Sequence, residues 1–339
     1  MRGSGGSWLV GLVLVAVLAT GCGGGQSQPS QAAAEPLTGP AKVKVTMDGW
    51  ESPTDLGVVA AKAGGFFEDV GRNVWVGVPA RPKRPVKYVS EGRDTFGVVQ
   101  LPQVAIAKEK GAPIIAIGSL LAQPTAAMIW LKRSKIHTLA DLKGKTIATS
   151  SVPYQKRFLA AVLARAGLSL EDVHLRPLGY DLVPALLSGK ADAIFGGSWN
   201  LEGVTIEARG AHPVIRRVQS FGAPSYEELV VITRRDLLVE RPDLVRDFLS
   251  AVHSATGAAL ENPKAAVRLM KGADEPNPKD DWKVTEAELE ATLPLLSRTG
   301  RMDPGKASAL VRWMYEEGVL RQRIPVSQLL TNDYLPSRP

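Results

Sequence analysis

Cysteine and histidine are scarce in this chain: its 339 residues hold one cysteine, Cys22, and four scattered histidines, His137, His174, His212 and His253. No internal disulfide can form, and no clustered His/Cys spacing exists for a structural zinc site. Blocks of basic charge are missing too. The 41 Lys+Arg and 34 Asp+Glu leave a formal charge of +7 spread along the sequence, which argues against nucleic acid as a partner. A Gly-x-Ser-x-Gly elbow and a Gly-x-x-x-x-Gly-Lys-Ser/Thr loop are both absent, and Gly64-Gly65 and Gly196-Gly197 are isolated pairs. Nucleophilic hydrolysis and a nucleotide cofactor therefore lack their usual motifs. What remains is 45% hydrophobic and 22% charged, the composition of a globular protein of two domains or one large one, which rules out wholesale disorder and collagen-like repetition.

The start of the chain reads as an address. Arg2 precedes the apolar run Trp8–Leu18, followed by Ala19-Thr20-Gly21 and Cys22, the anatomy of a secretory signal. The run is shorter than the roughly 20 residues that span a bilayer as a helix. Its end resembles a lipobox, with Gly21 directly before Cys22 and Leu18 one place earlier than the commonest arrangement. Residues 1–21 are thus expected to be a signal peptide and Cys22 the lipidation site. Residues 22–40, small and polar, are expected to be a flexible linker tethering the folded part to the extracytoplasmic face of a membrane.

From Val43 onward, short apolar runs alternate with amphipathic stretches, which predicts α/β architecture with largely parallel sheets. Strands are expected at Val43–Met47, Val74–Val78, Thr95–Val99, Ile114–Gly118, Ala127–Leu131, Thr146–Thr149, Ala191–Phe195, Val214–Val218 and Leu229–Thr233. Helices are expected at Tyr154–Ala166 and at Asp181–Ser188, the latter with Asp181 as its cap. After Thr233 the pattern turns helical, over Pro242–Leu260, Ala265–Met270, Thr285–Leu296 and Pro304–Glu317. Leu244, Val245, Phe248, Leu249 and Val252 form one packing face, and Leu310, Val311, Met314 and Tyr315 another.

Aromatic, amide and acidic residues gather at the ends of the expected strands, where open α/β sheets bind ligands. Asp48 and Trp50 follow the first strand, Gln100 the third, Ser150, Ser151 and Tyr154 the strand Thr146–Thr149, and Trp199, Asn200 and Glu202 the run Phe195-Gly-Gly. Such a set suits a flat polar ring, with aromatic faces stacking on it and Asp, Glu, Asn and Gln fixing its donors.

Two stretches, Thr138-Leu-Ala-Asp-Leu-Lys-Gly-Lys-Thr-Ile147 and Leu178-Gly-Tyr-Asp-Leu-Val-Pro-Ala-Leu-Leu-Ser-Gly-Lys-Ala-Asp192, resemble the second lobe of solute-binding proteins of ABC importers. Three more, Gly197-Ser-Trp-Asn-Leu-Glu-Gly-Val204, Gly222-Ala-Pro-Ser-Tyr-Glu-Glu-Leu-Val230 and Gln123-Pro-Thr, are similar to the branch that binds pyrimidine precursors of thiamine. The resemblance implies a two-lobed α/β fold of the periplasmic-binding-protein type (type II, Venus flytrap) with two chain crossovers. Residues 41–121 and 231–339 would form one lobe and residues 122–230 the other. It implies a small pyrimidine-like ligand in the cleft, ABC permease subunits as partners, a monomeric state and no cofactor, metal or catalytic residue. The expected ligand-binding set is Asp48, Trp50, Gln100, Gln123, Tyr154, Trp199, Asn200 and Glu202.

The first segment departs from the family pattern. Members run Asp-Trp, then Pro-Asn and a His shortly before a Gly, whereas this chain reads Asp48-Gly-Trp-Glu-Ser-Pro-Thr-Asp-Leu-Gly57. Another organic solute, such as a flavin, a sulfonate or taurine, or nitrate, therefore stays open. A relative of the branch makes the pyrimidine itself from histidine and pyridoxal phosphate in a cysteine-rich, His-bearing pocket. Neither feature occurs here, so an enzyme is not expected.

Overall fold

The computed structural model describes residues 43–47, 49, 52–78, 84–150, 152–272 and 282–337. The expected signal, Cys22, the tether, Asp48, Trp50 and Ser151 lie outside them. Among the described residues the strands, in chain order, are β1 (Val43–Thr46), β2 (Val74–Gly77), β3 (Phe96–Gln100), β4 (Ile114–Ser119), β5 (Ala126–Leu131), β6 (Thr146–Thr149), β7 (His174–Pro177), β8 (Ala193–Ser198), β9 (Pro213–Arg217) and β10 (Leu229–Arg234). They form two five-stranded sheets, ordered β2-β1-β3-β10-β4 and β7-β6-β8-β5-β9. The chain leaves the first sheet after β4 and returns to it in β10, as a two-lobed fold with two crossovers requires.

Pattern explains most of these strands. Every residue of β4 and β5 is buried, as a strand covered on both faces demands. In β1, Val43 and Val45 point into the core while Lys44 faces solvent. Strand β7 lacks an apolar run and sits half exposed at a sheet edge, which is why the pattern missed it. The expectation of largely parallel sheets needs correction. Strands β1–β2, β1–β3, β6–β7 and β6–β8 pair in parallel, but β10 runs antiparallel to β3 and β4, and β5 antiparallel to β8 and β9. Both reversed strands come directly after a crossover, where the chain enters its new sheet from the opposite end.

The long helix Pro242–Glu261 begins on a proline suited to its first turn and buries Leu244, Val245, Phe248, Leu249 and Val252 against the first sheet. Phe248 stacks on Phe96 of β3 at 4.1 Å and on Phe67 at 5.3 Å between ring centroids. Helix Pro304–Glu316 is capped by Asp303, whose Oδ1 accepts from the N–H groups of Gly305 and Lys306 at 2.7 and 3.3 Å. Its Trp313 packs edge-on against Phe158 at 4.9 Å, joining the C-terminal helix to helix Pro153–Ala164 of the second lobe. Tyr315, expected on that packing face, is exposed. Asp181 precedes helix Leu182–Leu187 without a side-chain capping bond. Among the described residues no helix is long and apolar enough to cross a membrane.

Candidate functional site

Parallel strands deliver their C-terminal ends to one side of each sheet, and the two sheets turn these ends toward a shared cleft. From the first sheet come Ser52, Thr54 and Asp55 after β1, Gln100 at the end of β3, and Glu228 before β10. From the second come Ser150, Tyr154 and Gln155 after β6, Tyr180 after β7, and Ser198 and Glu202 at the end of β8. About 110 Å³ of the cleft is open to water-sized molecules.

Local structure fixes each wall. Strand β8 carries an irregularity opposite Ala127/Met128, and Gly196 sits there at φ 80°. The buried Gln155 fills the space a side chain at Gly196 would need: a Cβ there would lie 2.3 Å from Gln155 Cδ. Gln155 Nε2 donates to the Gly196 carbonyl at 3.2 Å, while its Oε1 accepts from the Ser150 N–H at 3.2 Å and hydroxyl at 2.8 Å. Across the cleft, the carboxylate of the buried Asp55 accepts from the hydroxyls of Ser52 at 3.0 Å and Thr54 at 3.3 Å. Glu228 Oε2 accepts from the Thr125 N–H at 3.4 Å. Beside it, burial and the Glu228 carboxylate push the Tyr226 hydroxyl well above the usual phenol range.

After β8 the chain makes a five-residue π-helical turn, Trp199–Gly203, before helix Val204–Ala208. That turn sends consecutive side chains in different directions. Glu202 lines the cleft, its Oε2 accepting from the Ser198 N–H at 2.6 Å. Burial raises its carboxyl to about 7, with the nearby Glu288 carboxylate raising it further and the backbone bonds opposing. Asn200 points the other way, fully buried, and its Nδ2 donates to Thr292 Oγ1 at 2.7 Å. Trp199 stands off the cleft wall, its indole N–H donating to the Pro124 carbonyl at 3.4 Å and its ring covered by the Arg217 guanidinium at 3.8 Å. Two of the three polar and aromatic residues read from this motif thus tie the turn down rather than face the cleft.

Of the other expected residues, Gln100 and Tyr154 line the cleft, Gln123 is exposed outside its lining, and Asp48 and Trp50 fall outside the described residues. Asp55, Gln155, Tyr180 and Glu228 were missed as site residues. Tyr180 and Glu228 stand inside motifs that carried the resemblance, which was the available signal for them, whereas Asp55 lies in the segment that departs from the family pattern. Asp55, Glu202 and Glu228 give the described lining three carboxylates, and it includes no Lys, Arg or His. Such a wall suits a donor-rich ligand and opposes a simple oxyanion. Among the described residues no group of three His, Cys, Asp or Glu is placed to hold a metal ion.

A profile described as NMT1/THI5 like matches residues 52–266, well over half of the sequence. The chain belongs to the NMT1/THI5-like family. This family member is 25% identical over 287 residues to the formylaminopyrimidine-binding protein of Halalkalibacterium halodurans, covering 83% of this chain and 87% of that one. It is 27% identical over 232 residues to the 4-amino-5-hydroxymethyl-2-methylpyrimidine phosphate synthase of Schizosaccharomyces pombe, covering 65% and 66%. Among solved structures it is similar to the alkanesulfonate-binding protein SsuA of Xanthomonas axonopodis pv. citri, with a TM-score of 0.67, 18% identity and coverage of 88% and 100%. That likeness establishes the periplasmic-binding-protein fold.

The synthase relative corrects the expectation that no enzyme is involved. That expectation rested on the missing cysteines and histidine, yet this NMT1/THI5-like chain is similar to a protein named as a pyrimidine phosphate synthase. The lack of those residue types does not separate it from the synthases.

Proposed function

We propose that this NMT1/THI5-like protein is a solute-binding protein that captures a pyrimidine precursor of thiamine, hydroxymethyl- or formylaminopyrimidine, between its lobes. It then presents the closed form to the permease subunits of an ABC importer, held at the outer face of the membrane by a lipid on Cys22. The observation that carries the reading is the described lining of the cleft: two tyrosines, two glutamines and three carboxyl groups from both lobes, with no cationic side chain in that described lining. A flat ring with exocyclic amines meets stacking faces and acceptors there. The similarity to a formylaminopyrimidine-binding protein supports the same ligand class. Closure follows from differential affinity, because a ligand that touches both walls binds the closed form more tightly and shifts the population toward it.

Calorimetric titration of the full chain with hydroxymethylpyrimidine, formylaminopyrimidine and an alkanesulfonate tests this. Saturable binding of a pyrimidine, weakened by Tyr154→Ala, is the expected result. Tight sulfonate binding with no pyrimidine heat would replace the ligand and keep the fold.

A further inference from the structure

Helices that follow the two sheets meet in two places, through contacts of different kinds. In the first, helix Pro153–Ala164, which follows β6, packs on helix Pro304–Glu316, which follows β10. Phe158, Leu159 and Val162 share one buried apolar cluster with Leu310, Val311 and Met314, and Trp313 meets Phe158 edge-on at 4.9 Å. In the second, helix Trp282–Thr292 lies against the π-helical turn after β8 and against helix Val204–Ala208. Glu288 and Thr292 are one turn apart on that helix and share a face. Glu288 Oε1 accepts from the Thr205 hydroxyl at 2.5 Å, and Thr292 Oγ1 accepts from Asn200 Nδ2 at 2.7 Å. The Thr292 hydroxyl spends its own proton on the Glu288 carbonyl at 2.7 Å, so its oxygen meets Asn200 as an acceptor. The apolar part of this second place is the half-buried Trp199 ring, at the edge of the clusters of both sheets.

Whatever solute the cleft takes, we infer that helix Trp282–Thr292 is a latch. Glu288 and Thr292 fasten the turn of the second sheet, and the cleft opens by releasing these two bonds while the helices Pro153–Ala164 and Pro304–Glu316 stay packed as the pivot. Parting the pivot would return buried apolar surface to water at a cost that grows with its area. Parted hydrogen-bonding groups instead regain most of their energy from water. The polar place therefore yields first. The latch is also incomplete as built: Asn200 Oδ1 is buried with no partner, so release hydrates an acceptor that the fastened state leaves unpaired. Asn200, Thr205, Glu288 and Thr292 are all absent from the described lining of the cleft. They thus act on closure without touching the solute, and a solute that touches both walls adds the free energy that keeps the latch shut.

Spin-label distances in the full chain, with Cys22→Ser so that only chosen positions react, test this. Exposed positions report each place: Ala208→Cys with Glu290→Cys for the latch, and Lys156→Cys with Arg312→Cys for the pivot. Thr205→Val removes the latch hydroxyl at nearly constant shape, and Glu288→Ala removes the same bond from the other side. In the ligand-free chain either variant should shift the latch distance to longer values and leave the pivot distance unchanged, and Thr205→Ser should restore the first. Where the pyrimidine reading holds, Thr205→Val should also speed hydroxymethylpyrimidine dissociation about tenfold without slowing association, whereas a damaged site would slow association too. A latch distance that neither variant moves, or two distances that lengthen together, overturns the inference. If hydroxymethylpyrimidine fails to bind the unsubstituted chain, the pyrimidine reading falls and the two distances alone decide the latch.

Discussion

The two sheets have the same plan: β2-β1-β3-β10-β4 matches β7-β6-β8-β5-β9 position for position, with the reversed strand fourth in each. Matching strands even serve matching purposes. The ends of β1 and β6 supply Asp55 and Tyr154, and the ends of β3 and β8 supply Gln100 and Glu202. The lobes diverge just past the third strand of each order. After β3 the chain enters the regular helix Leu101–Glu109; after β8 it makes the π-helical turn that sends Glu202 into the cleft and Asn200 away from it. Shared topology thus provides the positions, and one irregular turn provides the unequal chemistry.

The comparison can be broken at the apolar support of the first sheet. Phe248→Ala removes the ring stacked between Phe96 and Phe67, and urea unfolding should register a loss of about 3–5 kcal/mol.

It can be sharpened by pH. In the first lobe His253 packs against Gly118 and Gly300, and burial lowers its pKa from 6.5 to about 4. The unfolded chain takes up a proton there that the folded chain refuses. Stability is full above pH 6.5 and should fall by about 3 kcal/mol as pH drops toward 4, a limb that His253→Gln should shrink. Glu202 in the second lobe has the opposite sign: its carboxyl is raised from 4.5 to about 7, so the folded state retains a proton the unfolded state has lost. Its contribution is full below pH 4.5 and declines up to about 7, so Glu202→Gln should stabilise the ligand-free protein at pH 8 by about 3 kcal/mol at most. Thermal melts across the pH range would read both limbs, and an alkaline limb unchanged in Glu202→Gln would dissociate the turn from the pH response.

Smaller effects probe the turn itself. Thr292→Val leaves the buried Asn200 amide without its acceptor and should cost about 1–3 kcal/mol in denaturant unfolding. Arg217→Ala uncovers the Trp199 ring and should cost about 0.5–1 kcal/mol by the same measurement.

Elements were legible in the sequence wherever burial is written as an apolar run, as in β4 and β5, and illegible at β7, whose edge position leaves it no such run. Strand direction was illegible because it depends on how the chain re-enters a sheet, not on the strand's own residues. In the site, Tyr154, Gln100 and Glu202 could be placed near the cleft from strand ends alone. Spacing could not separate Glu202 from Trp199 and Asn200, since that depends on a π-helical turn that residue types do not announce. Glu228 reaches the cleft because it lies on the second crossover just before β10, a tertiary placement that its motif alone does not specify.

The two crossovers also set an order of events during synthesis. All strands of the second sheet come from one uninterrupted stretch, Ala126 to Arg217, whereas the first sheet needs Leu229–Arg234 inserted between β3 and β4. A nascent chain emerging from the ribosome can therefore complete its second sheet before its first, leaving β3 and β4 waiting for the strand that joins them. For those strands the exposed interval is set by the speed of translation, and a pause placed between β4 and β10 would lengthen it.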